Sequence, residues 1–301
     1  INHIETSEPL VPVRQTWRDP QTYRPLLMLD RPGWAWEWLR RNRAYGALAI
    51  TLPPAIRCIL RATPRITLIT QRHGEEDIFP WGLHFVEWPG HAADGAAILW
   101  RKEVDATVLP VSASPAGRTD PNIFDLMQLP YPAIIFRDAA AVERVLIGDA
   151  GHHLRIDVVG GSVLDGPVRL RYRLTAGPAL PSQILTLRSL IALQRLGRFP
   201  QRFFPRAPRA ARWMRALQAF DGKRAGASNR EIAATLYGDK IVQADWHSGP
   251  NYLRSRLARA LRFATMLVQG GYLQMFDKDR KDRNHDALNA PFHDADEYVS
   301  S

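Results

Sequence analysis

One cysteine, Cys58, stands in 301 residues. A lone thiol excludes an intramolecular disulfide and any zinc site built from several cysteines. It suits a reducing compartment, and a cytoplasmic setting is expected. Long apolar runs are also lacking. None approaches the roughly 18–20 residues that cross a bilayer, and the best stretch, 184–196, is interrupted by Arg188 and Arg195. No membrane partner is expected. Residues 1–12 carry neither the basic start nor the apolar centre of a signal peptide. Catalytic signatures are scarce too. There is no G-x-S-x-G elbow, and Gly160-Gly161-Ser162 is a turn rather than a phosphate loop, because no G-K-[S/T] follows. His73, Glu75, Glu76 and Asp77 group possible metal ligands of the kind a metal-dependent nuclease uses. No second acidic motif accompanies them, and a polar loop between Thr70 and Phe79 accounts for them better. His152 and His153 open a strand, so their side chains point to opposite faces and do not share one metal. Cys58, among Ile56, Ile59 and Leu60, reads as a packed thiol. No enzyme, cofactor or metal is expected.

Acidic residues are scarce where basic ones gather. Between Arg188 and Gly270, sixteen Lys and Arg face only Asp221, Glu231, Asp239 and Asp245. That window is +12 in a chain that is +10 overall. Such a one-sided block marks a polyanion-binding face. Most of these cations are arginines, whose planar fork fits phosphates and guanine edges better than an ammonium does. A solvated basic surface is the bland alternative; the helical pattern carrying the charges argues against it. Hydrophobic residues make up 46% of the chain, enough for real cores. The length suits two domains of about 100–200 residues each.

The expected fold is α+β. Residues 1–12 read as a flexible lead-in. Residues 13–177 read as a regulatory or interaction domain with a mostly antiparallel sheet and a Trp-rich helix. Asp30 caps that helix and Pro32 lies in its first turn. It runs from Gly33 to about Ala44 and puts Trp34, Trp38 and Tyr45 on one face, as core. Trp36, opposite, is open to a second layer or a partner. Period-two runs then follow at 81–85, 98–101, 107–111, 134–137, 145–148, 152–158 and 168–174, separated by turn residues such as Asp94-Gly95 and Gly160-Gly161. In the last run Arg169, Arg171 and Arg173 alternate with apolar residues, which suits a strand wet on one side.

Past Gly177-Pro178 the pattern is helical. Residues 181–276 read as a four-helix DNA-binding domain, with helices at about 181–196, 207–220, 229–237 and 251–269, and residues 277–301 as a polar, disordered tail. Ser228 and Glu231 have the spacing of a capping box, and Gly238 supplies a helix stop. A short capped helix followed by a basic amphipathic one is the outline of a helix-turn-helix, here a variant with a long connection, Asp239 to Pro250. At about 100° per residue, the last helix places Leu253, Leu257, Ala260, Leu261, Ala264 and Val268 on one face. The opposite face carries Asn251, Ser255, Arg259, Arg262 and Met266. Arginine pairs with guanine and asparagine with adenine in the major groove, so Asn251, Ser255 and Arg259 are assigned to bases. Arg254, Arg256 and Arg262 are assigned to the backbone, which positions without reading sequence. His247 and Ser248 add phosphate contacts. The partner is double-stranded DNA at a promoter site, and such readers often act as homodimers on paired half-sites.

Phe220-Asp221-Gly222, Gly226-Ala227-Ser228, Arg230-Glu231-Ile232-Ala233, Leu236-Tyr237-Gly238, Trp246 and Gly270-Gly271-Tyr272 resemble a proteobacterial domain family that includes activators and antiactivators of integrative and conjugative elements. The resemblance covers about 181–276. Upstream, Trp17, Tyr23, Trp34-Ala35-Trp36-Glu37-Trp38 and Arg40-Arg41-Asn42 resemble the tryptophan-rich "transcriptional regulator-like" module found with it. Arg43 departs from the proline of the pattern and Asn229 from its common aromatic. The resemblance implies a helix-turn-helix variant that controls excision and transfer genes, with an antiactivator protein and RNA polymerase as further partners. The two-module layout and intact basic helix favour an activator. The rival is an antiactivator-type protein that binds another regulator instead of DNA.

Overall fold

The computed structural model describes residues 17–277 apart from 54, 60–64, 72–74, 118–119, 121–122, 139, 150–151, 200–206 and 249–251. The expected lead-in at 1–12 and the expected tail beyond Asp277 lie outside the described residues. The helices are α1 (Arg31–Leu39), α2 (Arg43–Thr51), α3 (Glu75–Ile78), α4 (Leu180–Leu196), α5 (Ala210–Arg224), α6 (Asn229–Tyr237), α7 (Asp239–Ser248) and α8 (Tyr252–Val268). The strands are β1 (Ile56–Ile59), β2 (Ile66–Thr70), β3 (Leu109–Pro115), β4 (Ile123–Phe124), β5 (Ala133–Arg137), β6 (Glu143–Asp149), β7 (His152–Val158) and β8 (Val168–Tyr172). The fold is α+β, as the patterning predicts.

The strands form one eight-stranded sheet in the order β1-β2-β5-β6-β7-β3-β8-β4. Five neighbouring pairs are antiparallel, and β2·β5 and β3·β7 are parallel. The longest pairing is β6 with β7, from Glu143↔Val158 to Asp149↔His152. One sheet face buries Val111, Ile135, Val145, Ile147, Leu154 and Ile156 under Leu190 and Leu193 of α4. Two side-chain bonds fix α4 there: Thr186 Oγ1 donates to the Thr107 carbonyl at 2.7 Å and Gln183 Nε2 to the Val108 carbonyl at 3.2 Å. The other face carries Phe136 and Leu146 against Phe85, Ala97 and Leu99. β8 buries Val168 and Leu170 and exposes Arg169 and Arg171, as its alternation predicts.

Three local expectations need correction. Runs 81–85 and 98–101 are not strands of the sheet; they meet only through the bridge Leu83↔Trp100. Their alternation reflects a segment buried on both sides: Leu83, Ile98 and Trp100 face the tryptophan core, while Phe85 and Leu99 pack on the sheet. The His84 amide donates to the Leu99 carbonyl and the Arg101 amide to the Gly82 carbonyl, too few bonds for a ladder. Cys58 is exposed, not packed, because β1 pairs only with β2 and stands at the sheet edge. The Trp-rich helix stops at Leu39, and α2 restarts at Arg43. Asn42 causes the break: its side-chain oxygen accepts from the Ala44 and Tyr45 amides and caps the new helix.

Trp34, Trp36 and Trp38 are all fully buried. Trp34 meets Trp213 of α5 edge to face at 5.5 Å, and Trp38 meets Phe263 of α8 at 6.5 Å. Trp36 faces a second layer, edge-on to Tyr45 with its Nε1 donating to the His91 carbonyl at 3.0 Å. The largest core therefore runs across the sequence break near 177. It joins α1 and the 78–100 segment to α5, α8 and the closing turn Gly271–Met275.

A buried ionic cluster ties the same elements. Arg41, just past α1, grips Asp221 of α5 with two hydrogen bonds of 2.7 and 2.8 Å, and donates to both the carboxylate and the carbonyl of Glu37 at 2.7 Å. The Tyr23 hydroxyl donates to Asp221 at 2.8 Å. Arg40 also reaches Glu37 at 2.8 Å. Burial alone would raise the Glu37 pKa, but the Arg40 and Arg41 guanidiniums overcome it and hold the carboxyl below its ordinary range. Burial and the Asp221 charge push the Tyr23 phenol well above its ordinary range, so it stays a donor.

Removing one member of such a cluster strands the others in low dielectric. Arg41→Leu is expected to cost about 3–5 kcal/mol, read by urea unfolding; a loss below about 1 kcal/mol, the value of a surface ion pair, would refute the arrangement. A carboxyl depressed on folding adds stability above its unfolded pKa of about 4.3. That stability is lost as pH falls through the lower folded value. Native stability should decline below about pH 4.3, and less steeply in Glu37→Gln.

Candidate nucleic-acid interface

The helical end is built around α6. Ser228 Oγ accepts from the Glu231 amide at 3.2 Å, and the Ser228 amide donates to Glu231 Oε2 at 2.8 Å. The capping box read from the sequence is therefore formed. The Ser228 backbone bond, its hydroxyl and Arg18 hold the Glu231 pKa down at about 2. α6 buries Ile232 and Ala233 against Trp17, Ala219, Val242, Leu253 and Leu257. Gly222 of α5 makes room for this packing: a Cβ there would lie 2.8 Å from the Trp17 ring.

The connection between α6 and α8 differs from expectation. The segment read as a long turn holds helix α7, joined to α6 through Gly238 alone. Gly238 adopts φ +92°, a left-handed value that favours glycine and lets one residue reverse the chain. The sequence signal missed here is Ile241 and Val242 followed by Trp246, an apolar spacing of helical type. α7 buries Val242 and leaves Ile241 46% exposed.

α8 turns Leu253, Leu257, Ala264 and Val268 inward as predicted, with Leu267 beside them. Ala260 and Leu261 are half-buried. Of the residues assigned to DNA, Arg254, Ser255 and Arg262 are exposed on α8, and Arg256 and Arg259 are half-buried. The Arg256 guanidinium lies over the Tyr237 ring, 4.7 Å from its centre. His247 and Ser248 end α7, but their side chains, and all of Asn251, lie outside the described residues. The structure thus brings five of the eight assigned residues onto one helix.

Three further arginines join them from α5 and its cap: Arg209, Arg212 and Arg215. Arg212 stacks over Phe263 of α8 at 5.3 Å. Its pKa is lowered by burial and then by the like charges of Arg209 and Arg259. Burial raises the Tyr237 pKa, and the nearby charges of Arg256, Arg215 and Arg259 act against that rise. One flank of α8 is therefore a crowded arginine surface shared by two helices. The sequence signal for it was their recurrence at every third position. Aromatic rings beneath the guanidiniums hold them in place without neutralising them.

For the nuclease alternative, Glu76 and Asp77 are exposed on the four-residue helix α3. Among the described residues no group of three His, Cys, Asp or Glu converges on a metal position. No described helix is long and apolar enough to cross a membrane.

Residues 180–276 match the profile of a family described as a T6SS transcription factor DNA-binding domain. Residues 16–86 match a proteobacterial transcriptional regulator-like domain. No curated protein matches the chain. The two matches cover the segments and the order anticipated from the sequence, and they support a DNA-binding transcriptional regulator; such families are not enzymes in general. The first match is described by T6SS rather than by integrative and conjugative elements.

The cap makes a direct prediction. Ser228→Ala should cost about 1 kcal/mol, measured by urea unfolding. Because Glu231 is depressed on folding, the protein should also lose stability as pH falls from the usual carboxylate range toward 2. That acid-induced loss should shrink in Ser228→Ala, and an unchanged acid profile would argue against the cap.

Proposed function

We propose that this protein regulates transcription by laying α8 in the major groove of a promoter site. Charge distribution between the two final helices supports this choice of reader. α8 carries Arg254, Arg256, Arg259 and Arg262 with no acidic residue, whereas α7 sets Lys240 against Asp239 and Asp245. Its 17 residues extend for about 25 Å, long enough to follow a groove about 12 Å wide. In this reading Asn251, Ser255 and Arg259 face base edges. Arg254, Arg256 and Arg262, with His247 and Ser248, meet the flanking phosphates, and Arg209, Arg212 and Arg215 extend that contact on the α5 side.

At the finer level we propose an activator of the excision and transfer genes of an integrative and conjugative element. It acts in the cytoplasm on nucleoid DNA, with residues 181–276 as the DNA-binding part and 13–177 as the regulatory part. A homodimer on paired half-sites, RNA polymerase and an antiactivator are its expected protein partners. The resemblance of residues 220–238 and of the Trp34–Trp38 motif to that family supports this assignment.

The test is binding of the full chain to promoter-proximal DNA across a salt series. The slope of log K against log salt is expected to shrink by about 0.9 for each phosphate contact removed, as in Arg262→Ala and Arg212→Ala. Arg259→Ala should instead weaken preference for the true site by about 1–3 kcal/mol. Salt-insensitive or absent binding by the folded chain would overturn the DNA reading and leave the antiactivator-type protein as its replacement.

A further inference from the structure

Beside the arginine surface, and sharing Arg262 with it, α8 borders a groove of about 1110 Å³. Its walls are α8, the end of α5 and the turn between α1 and α2. The groove therefore lies where the two family-matched segments meet, and neither match assigns it a role.

Its chemistry is one-sided. Arg43, Lys223, Arg224 and Arg262 stand at the rim, and all four are exposed. Arg41 also lines it, but that guanidinium is already held by Glu37 and Asp221. No Asp or Glu appears among the described residues of the lining, and none of the four rim cations forms an ion pair among the described salt bridges. Lys223 reaches only the Asn229 amide oxygen, at 3.3 Å. The floor is apolar, with Phe220 half-buried and Met266 left 39% exposed. Apolar lining with a few polar or charged groups is the usual make-up of a small-molecule site. The volume lies just above the usual range of ligand sites, about 300–1,000 Å³, and far exceeds what a few waters need.

We infer that this groove binds a small anionic amphiphile, with a carboxylate or phosphate head on the rim cations and an apolar body against Phe220 and Met266. A DNA strand would satisfy the rim but leave the apolar floor without a partner. An uncharged apolar molecule would satisfy the apolar lining and leave the four cations without an anion. An amphiphilic anion satisfies both. Arg262 belongs to this rim and, in the DNA reading above, to the phosphate contacts, so an occupied groove competes with DNA for that guanidinium. Only this regulatory consequence rests on the DNA reading; binding itself does not.

Calorimetric titration of the full chain separates the outcomes. Decanoate and decyl phosphate, kept below their micelle concentrations, are the probes; decanol supplies the body alone and inorganic phosphate the head alone. Both amphiphilic anions should bind at one saturable site at least tenfold more tightly than decanol or phosphate, and a preference between them identifies the head. Arg43→Glu and Lys223→Glu should each weaken binding at least tenfold, with a cooperative melting transition retained because both side chains are exposed. Arg171→Glu, the same charge change on remote β8, should leave binding intact. Saturating ligand should then weaken DNA binding by the wild type and not by Arg43→Glu. Absent binding, equal binding of decanol and decanoate, or an Arg171→Glu effect matching that of Arg43→Glu would overturn the proposal. Loss of DNA affinity in Arg43→Glu without any ligand binding would overturn it in favour of a DNA phosphate contact. Ligand binding without any DNA binding would leave the site standing and remove the DNA reading.

Discussion

The Arg41 guanidinium is the constraint on which the helical half depends. It is charged at any working pH and nearly buried, so it demands partners. Two carboxylates from different segments supply them: Glu37 one turn earlier on α1, and Asp221 near the end of α5. The bidentate geometry at Asp221 admits few orientations, which a lysine's single point charge would not enforce. Asp221 in turn takes the Tyr23 hydroxyl. The position of α5 relative to α1 is thereby set by hydrogen-bond geometry, and the tryptophans fill the space so defined. Breaking the cluster strands charge, whereas thinning the tryptophan core removes only contact area.

This pinning carries through to α8. The Asn42 side-chain amide donates to the Val268 carbonyl at 2.8 Å, holding the last turn of α8 against the α1–α2 joint. Trp38 packs on Phe263, and Trp100 packs on Tyr272 and Phe276 just beyond α8. Under the proposed reading α8 must be oriented before it meets a duplex, because loose orientation adds an ordering cost to binding. The orientation of α8 comes partly from residues outside the DNA-binding match, which begins at 180. The N-terminal match spans 16–86, and its tryptophans and its Arg41–Asn42 pair do that orienting.

The sequence made the chemistry more legible than the geometry. Periodicity located α4, α6 and α8 to within a residue or two, and the Ser228–Glu231 spacing stated its own hydrogen bonds. Those signals are local, and local propensity decides them. It failed where tertiary contacts decide. The runs at 81–85 and 98–101 alternate as strands do, yet one set of their side chains is buried by the tryptophan layer and the other by the sheet face, without a ladder. Cys58 sits among isoleucines and is nevertheless exposed, because edge position is a property of sheet order and not of neighbours in sequence. α7 was hidden by its mixed charge and by the expectation of a loop. At the interface, the four α8 arginines could be placed by helical angle, but the arrival of Arg212 and Arg215 beside them depends on the α5–α8 crossing. The groove beyond was illegible, since its rim draws on three separate elements.

The two flanks of α8 show what the scaffold does with charge. On one flank Arg212 stacks over Phe263 while Arg209 and Arg259 depress its proton affinity. On the other, Arg43, Lys223, Arg224 and Arg262 surround an apolar floor. The backbone that carries these cations is fixed elsewhere, by Arg41 and by the tryptophans. Their summed positive charge attracts anions to both flanks. The buried cation is held by two carboxylates, whereas Arg43, Lys223, Arg224 and Arg262 are exposed, and that asymmetry separates a structural arginine from a charged surface.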